Sequence, residues 1–369
     1  MASFEENDGT AVKLCPRSVL SDVVSSLHIR FNLDFLVGFE IEITFCRRSG
    51  DNSETTFEPL DDHAWSTFTD RQYVDSFPLI MAIANALEEM GVQIEQAHSE
   101  AGAGQYEFVL PPLPPVEAVD TLVQARQCIQ HVAATSGLRA TCHAQPFPGL
   151  GTACHANISF HATDGNENLE KQQMQFMAFV LAHLPALCAF TMPEAASYDR
   201  VADDSWTSGS WVAWGTQNRE TPLRRTAAAD GSTARWEVRC LDGMGNMYLA
   251  LFVILRAGLQ GLVDETQMGL HDCQSKCQPH LSIAGRLIAN GVIDNPSRLS
   301  EAERLDLGIS TRLPKTIDES LGAIESDTVL REALGDEVIR HYVAMEKAEQ
   351  EILNKMSESR RRVWLMERY

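Results

Sequence analysis

Positive charge is scarce in this sequence. Its 369 residues carry 30 lysines and arginines against 51 aspartates and glutamates, a formal net charge of −21. That balance excludes nucleic-acid or anionic-membrane binding through bulk electrostatics, so neither partner is expected. Long apolar runs are also lacking, and no segment is long and apolar enough to span a bilayer. Paired cysteine spacing is missing too. Nine cysteines are scattered along the chain, and Cys273-x-x-x-Cys277 has no second pair to complete a zinc site. Free thiols in a reducing compartment are therefore expected. The opening MASFEENDGT lacks the basic-then-apolar plan of a secretory signal, which makes the cytoplasm the expected location. No internal repeat, low-complexity tract or interdomain linker is visible. The simplest reading is a short N-terminal extension over residues 1–34 and one large domain over 35–369.

What is present begins with Gly38-Phe39-Glu40-Ile41-Glu42-Ile43-Thr44-Phe45. Apolar and polar residues alternate with period two, the pattern of a strand with one buried face. Glu40 and Glu42 then share a face, roughly 6.5–7 Å apart, and repel each other unless a cation lies between them. Taken alone, the stretch also fits a solvated strand face opposite lysine or arginine.

Three more stretches alternate in the same way. Gln105–Leu110 places Gln105, Glu107 and Val109 together; His155–His161 places His155, Asn157, Ser159 and His161 together; Arg235–Cys240 places Arg235, Glu237 and Arg239 together. Trp211–Trp214 reads as a buried strand. Helical periodicity marks 20–34, 77–90, 116–136, 168–191, 248–263, 318–325 and 336–359, while residues 1–20 look frayed and 264–310 mix loop and helix signals. Gly91 and Gly137 fit helix ends.

The polar faces together offer five carboxylates, Glu40, Glu42, Glu100, Glu107 and Glu237, with the imidazole of His155. An oxygen-rich set of this kind suits Mg²⁺ or Mn²⁺ better than zinc. Arg219, Arg224, Arg235 and Arg239 offer forks for phosphate and carboxylate, and divalent ions with arginines are what phosphoryl transfer from ATP requires. Each residue has a plainer reading: His155 as a core histidine, Glu237 as part of an ion-pair network, His161 as a surface residue. Cys154 beside His155 is no thiol–imidazole pair, since strand neighbours face opposite ways.

Six ordered motifs over roughly residues 35–355 make the sequence resemble the catalytic domain of glutamine synthetase: GFEIE, HSEAGAGQYE (98–107), GTACHANIS (151–159), NRETPLR (218–224), RWEVRCLDGMGNMYLA (235–250) and LPKTIDESLGAIESD (313–327). The resemblance implies an α+β fold, a curved antiparallel sheet flanked by helices, shared with guanidino kinases. It implies that Glu42, Glu100 and Glu107 hold one metal and Glu40, His155 and Glu237 a second, on the ATP phosphates. Ser159, Arg219, Arg224 and Arg235 would meet ATP, the co-substrate; Gly151, Arg200 and Arg239 would meet the acid substrate; Arg219, Arg239 and Trp206 would be the catalytic residues. The implied reaction makes an acyl phosphate, which an amine converts to an amide.

Four departures from the family pattern stand out. Only 37 residues precede Gly38, so the β-grasp domain of full-length members is not expected, and a homo-oligomer of unusual type is. Asn157 takes the place of a second histidine, and Leu150 that of a substrate-contacting asparagine. Trp206 takes the place of the glutamate that deprotonates ammonium. An amine larger than ammonia is expected, against the alternatives that Asp203 or Asp204 restores ammonia use, or that the chain is a non-catalytic binding protein. The metal set argues against that last alternative, because ligands that repel when empty serve no scaffold.

Overall fold

A computed structural model describes residues 1–50, 56–62, 70–162, 168–227, 234–273 and 295–369. Among these, nine strands form one sheet: β1 (Leu33–Ser49), β2 (Thr56–Pro59), β3 (Gln96–Ser99), β4 (Gln105–Val109), β5 (Leu138–Thr141), β6 (Cys154–Ala162), β7 (Trp214–Thr216), β8 (Leu223–Ala227) and β9 (Ala234–Val238). The long strand β1 is the centre. It pairs antiparallel with β4 on one side and β6 on the other, and its far end also takes β2 and β5. The sheet order is β3-β4-β1-β6-β9-β8-β7. The expected α+β architecture holds, with one correction: β7 and β8 run parallel, so the sheet is mixed. The chain between them, residues 217–222, must double back to bring β8 alongside β7, and Arg219 lies exposed on that return.

The helices are α1 (Pro16–Phe31), α2 (Asp70–Asp75), α3 (Phe77–Glu89), α4 (Pro115–Thr135), α5 (Leu169–Ala182), α6 (Leu184–Thr191), α7 (Ala195–Arg200), α8 (Met247–Val263), α9 (Glu301–Asp306), α10 (Ile317–Ser326), α11 (Thr328–Leu334), α12 (Asp336–Leu353) and α13 (Glu358–Met366). One face of β1 supplies Phe39, Ile41, Ile43 and Phe45 to a continuous core shared with α1, α4, α5 and α8, all four side chains being at most 1% exposed. Burying that apolar face is what leaves the opposite face to the polar residues of the same strands.

Several helix limits differ from the periodicity. The 168–191 stretch is broken at His183 and bent by 79°, because Pro185 occupies the first turn of α6 and cannot donate to the helix before it. Among the described residues no single helix is long and apolar enough to cross a membrane. The 336–359 stretch also breaks, and α13 restarts where the Ser357 hydroxyl accepts from the Arg360 amide. Helix α1 begins at Pro16, earlier than expected, and Glu5 and Ala11 form a bridge within the segment read as frayed. Trp211 belongs to no strand. It makes an isolated bridge to Arg312, and the guanidinium carbons of Arg304 and Arg312 sit 4.3 and 4.2 Å from its ring centroid. Eight described cysteines are buried free thiols; Cys277 lies outside the described residues, as does the middle of the unreadable 264–310 stretch, 274–294.

Candidate active site

Register decides what the alternating strands bring together. Across β3, β4 and β1, His98 stands opposite Glu107, and Glu107 opposite Glu42. Glu40 stands opposite His155 on β6. Asn157 on β6 stands opposite Glu237 on β9, and Glu237 opposite Arg224 on β8. Ser159 stands opposite Arg235, at the same level as Thr226. Because side chains alternate faces, these rows form one polar surface over the centre of the sheet.

At its middle, the His155 Nδ1 lies 3.2 Å from Glu40 Oε2, 3.5 Å from Glu237 Oε1 and 3.8 Å from Glu42 Oε1. The Asn157 amide donates to Glu40 Oε1 at 2.9 Å, so asparagine here orients a carboxylate. Glu237 is 2% exposed and takes guanidinium groups from two sides, Arg224 at 2.7 Å and Arg239. Burial opposes its charge, but Arg239, His155 and Arg224 outweigh burial and hold its carboxyl at about 2. The ion-pair network considered as a plainer reading of Glu237 is therefore real, and it lies inside the carboxylate group.

Glu42 is in the opposite situation. Its Oε2 accepts from the Ala153 amide at 2.7 Å and from Gln105 Nε2 at 3.0 Å. Burial, with Glu107 and Glu100 adding repulsion, still pushes its carboxyl up to about 7. Gln105 also donates to the Gly151 carbonyl at 2.8 Å, tying the 143–153 loop to β4. Gly151 itself faces Arg200: a Cβ there would meet Arg200 Cγ at 3.0 Å.

Among the described residues, ligand atoms gather in two groups, each with its members within 4.8 Å of one another: Glu40, His155 and Glu237, and His98, Glu100 and Glu107. The first is the expected triplet. The second joins Glu100 and Glu107 to His98, with Glu42 held on its backbone and glutamine donors beside them. The His98 Nε2 is 3.1 Å from Glu107 Oε1, and that hydrogen bond raises the imidazole to about 9. Sequence reasoning misses His98 as a site residue, because its register with Glu107 is a tertiary fact; its place two residues before Glu100 is the local signal for it. The donor set fits hard divalent cations. Carboxylates crowd without enough counter-charge on this side, Glu42 resists ionisation, and the buried His155 Nε2 has no hydrogen-bond partner among the described residues.

The remaining expected residues are distributed as follows. Arg200 and Arg239 are 2% and 3% exposed, and both donate to backbone carbonyls: Arg200 to Thr207 at 3.1 Å and to Arg239 at 3.2 Å, Arg239 to Trp206. Trp206 is 37% exposed on the loop after α7. Ser159 contacts the Leu36 carbonyl at 3.4 Å and His161 at 3.0 Å, so His161 supports Ser159. Arg219 and Arg235 are exposed, and Arg219 is near enough to Arg224 for their charges to oppose each other. Asp203 and Asp204 are both engaged: Asp203 Oδ1 accepts from the Ser210 amide at 3.0 Å, and Asp204 Oδ1 from Asn295 at 2.8 Å and Arg298 at 2.7 Å. Sequence reasoning also passed over Glu220, 4% exposed, whose carboxylate meets the Trp206 loop from beneath.

Comparison with known proteins agrees with this geometry. A family model described as glutamine synthetase, catalytic domain, matches residues 13–275 and 273–367. The fluG protein of Emericella nidulans is 38% identical over 373 residues, covering 100% of this chain and 39% of that protein. The gamma-glutamylpolyamine synthetase GlnA3 of Streptomyces coelicolor is 32% identical, covering 93% of this chain and 70% of the relative. The glutamine synthetase of Methanocaldococcus jannaschii is 29% identical, covering 90% and 70%. The chain thus spans well under half of the fluG protein. A solved glutamine synthase homolog superposes with a TM-score of 0.74 at 26% identity, covering 100% of this chain and 78% of the other. Plasmodium falciparum glutamine synthetase superposes at 0.77 with 19% identity over 96% and 80%, a likeness of fold alone.

Proposed function

The chain belongs to the glutamine synthetase family, and on that premise we propose that it is an ATP-dependent carboxylate–amine ligase acting on glutamate or a related acid with an amine larger than ammonia. The observation that carries the reading is the convergence of Glu40, Glu42 and Glu237 on one nitrogen of His155, with Arg224 and Arg239 on the same surface. Glu40, His155 and Glu237 are proposed to hold a divalent ion on the ATP phosphates. Glu100 and Glu107, with Glu42 and His98 beside them, are proposed to hold a second. Bound there, such ions offset negative charge on the phosphoryl group in transfer.

The protein's own residues supply the rest. Arg219, Arg224 and Arg235 bind phosphate oxygens from the β8–β9 side, and Ser159 lies across from Arg235 beneath the nucleotide. Arg200 and Arg239 orient the acid's carboxylates beside Gly151. Transfer of the ATP γ-phosphoryl to the reacting carboxylate gives an acyl phosphate and ADP. The amine attacks the acyl carbon, phosphate leaves, and the amine gives up a proton as the amide forms.

Two observations support the larger amine. Trp206 brings a neutral ring to the position where the family resemblance implies an ammonium-binding glutamate, and an aromatic face attracts organic cations. Asp203 and Asp204 are committed to loop and ion-pair contacts, which speaks against either replacing that glutamate. The name of the Streptomyces coelicolor relative, a gamma-glutamylpolyamine synthetase, is in keeping with the same class of nucleophile. The test is phosphate release with glutamate as acid, comparing ammonium with a panel of primary amines and polyamines at equal concentration. Turnover with ammonium alone, yielding glutamine, refutes the larger-amine reading.

A further inference from the structure

We infer that Glu220 is a positioning residue that holds the Asp203–Gly209 loop, and Trp206 with it, against the arginines proposed to take the acid's carboxylates. The inference rests on the ligase reading above and names the element that controls how the amine approaches.

The loop backbone is unusual. Asp204, Trp206 and Ser208 all have positive φ, at 61°, 58° and 145°, and Gly209 follows at 66°. Side chains seldom adopt such angles, and three in five residues persist only where surrounding contacts fix them. Here the contacts are sorted by charge. The Glu220 Oε1 accepts from the Trp206 amide at 3.1 Å, and its Oε2 from the Asp204 amide at 3.2 Å. On the other side the loop's carbonyls point at cations: Trp206 accepts from Arg239 Nη2, and Thr207 from Arg200 Nη1. One buried carboxylate therefore gathers the loop's donors while two buried guanidinium groups gather its acceptors.

Glu220 is itself braced. Its amide donates to Asn218 Oδ1 at 2.9 Å, and the Asn218 side chain donates to the Cys273 carbonyl at 2.7 Å. The loop's exit also presses on it: a Cβ at Gly209 would fall 2.3 Å from the Glu220 carbonyl oxygen. Any movement of Glu220 shifts the loop, and the loop shares Arg239 with Glu237. Amine access, the acid's arginine clamp and the proposed metal ligand Glu237 are thereby linked through a residue that touches none of the substrates.

Glu220→Gln tests this with little change in shape. Glutamine offers one acceptor oxygen and sets an NH2 group against the other backbone amide, so one of the two anchoring bonds is lost. Hydrogen exchange of the amides in 203–209 is expected to quicken about ten- to a hundredfold, the range for one charge-assisted bond. Exchange in the sheet should stay unchanged. The KM for the amine should rise about tenfold, because less of the enzyme has the loop in place, with kcat altered less than about twofold. Unchanged exchange in 203–209 overturns the proposal, as does faster exchange spread evenly over the core. Should Glu220→Gln fail to fold, Gly209→Ala presses the same loop from its other end. It must give the same local signature, and normal exchange there overturns the proposal as well. Absence of phosphate release by the wild type with every acid–amine pair defeats the ligase reading instead, while the exchange result still decides the role of Glu220.

Discussion

Replacing Glu42 with glutamine is expected to stabilise the metal-free protein while removing its response to metal. Glu42 is raised from its ordinary 4.5 to about 7, by burial first and then by Glu107 and Glu100. The folded chain therefore binds more protons than the unfolded chain between pH 4.5 and 7, and wild-type stability falls as pH rises through that window. Above it the full cost is reached, about 3 kcal/mol at 1.36 kcal/mol per pK unit. The two hydrogen bonds from the Ala153 backbone amide and the Gln105 side chain converge on the single atom Oε2. A glutamine with its oxygen in that place keeps both and carries no charge. With an unfolding entropy of roughly 2.1 cal/mol/K per residue, a chain of this length gains about 4 °C in Tm. The assay is thermal unfolding in EDTA at pH 5 and pH 8: near-equal Tm values at pH 5, the variant higher at pH 8. Mn²⁺ at about a hundred times its Kd should then stabilise the wild type by about 2.7 kcal/mol and the variant much less. Equal Tm values at pH 8 together with an undiminished Mn²⁺ response would refute the reasoning that these carboxylates are arranged around cations.

Three further outcomes are expected. Arg224→Ala removes one of two guanidinium groups on Glu237 and a proposed phosphate contact; the KM for ATP should rise at least about tenfold in steady-state kinetics, the range for a lost charged hydrogen bond, with the fold intact by circular dichroism. Glu194, buried and pushed up to about 8 by burial and by Glu349 and Glu346, makes the protein less stable as pH rises from 4.5 to 8; Glu194→Gln should be more stable by up to about 5 kcal/mol at pH 9 and little changed at pH 4.5, measured by urea unfolding. Asp327 caps α11 by accepting from the Leu330 amide at 2.9 Å and meets His183 Nδ1 at 2.5 Å on its other oxygen; Asp327→Ala should cost about 1–3 kcal/mol by the same measurement, without effect on phosphate release.

Much of the fold and the polar surface was legible because strand periodicity is strict. Glu40 with Glu42, Gln105 with Glu107, and His155 with Asn157 and Ser159 each follow from counting by twos. Gly91 and Gly137 marked the ends of α3 and α4 to within two residues. The differences arose where something other than periodicity decides. Trp211 reads as a strand residue, but Arg304 and Arg312 cover its ring. The parallel pairing of β7 with β8 has no local signal, and the break at His183 depends on a proline that periodicity alone passes over.

The sequence by itself determined which residue types line the site, their spacing along each strand, and the family whose motifs they match. Those are local properties, fixed by the two-residue period of a strand and by the order of the motifs. The tertiary structure alone decided which partners the carboxylates meet. Glu40 and His155 are separated by 115 residues, and Glu42 and Gln105 by 63. Only the register of β1 against β4 and β6 joins them. It also decided that His98 sits on Glu107, that Asp203 and Asp204 are occupied, and that Glu220 anchors the Trp206 loop. Burial and long-range pairing set the charge state and freedom of a side chain, and neither is written in its immediate neighbours.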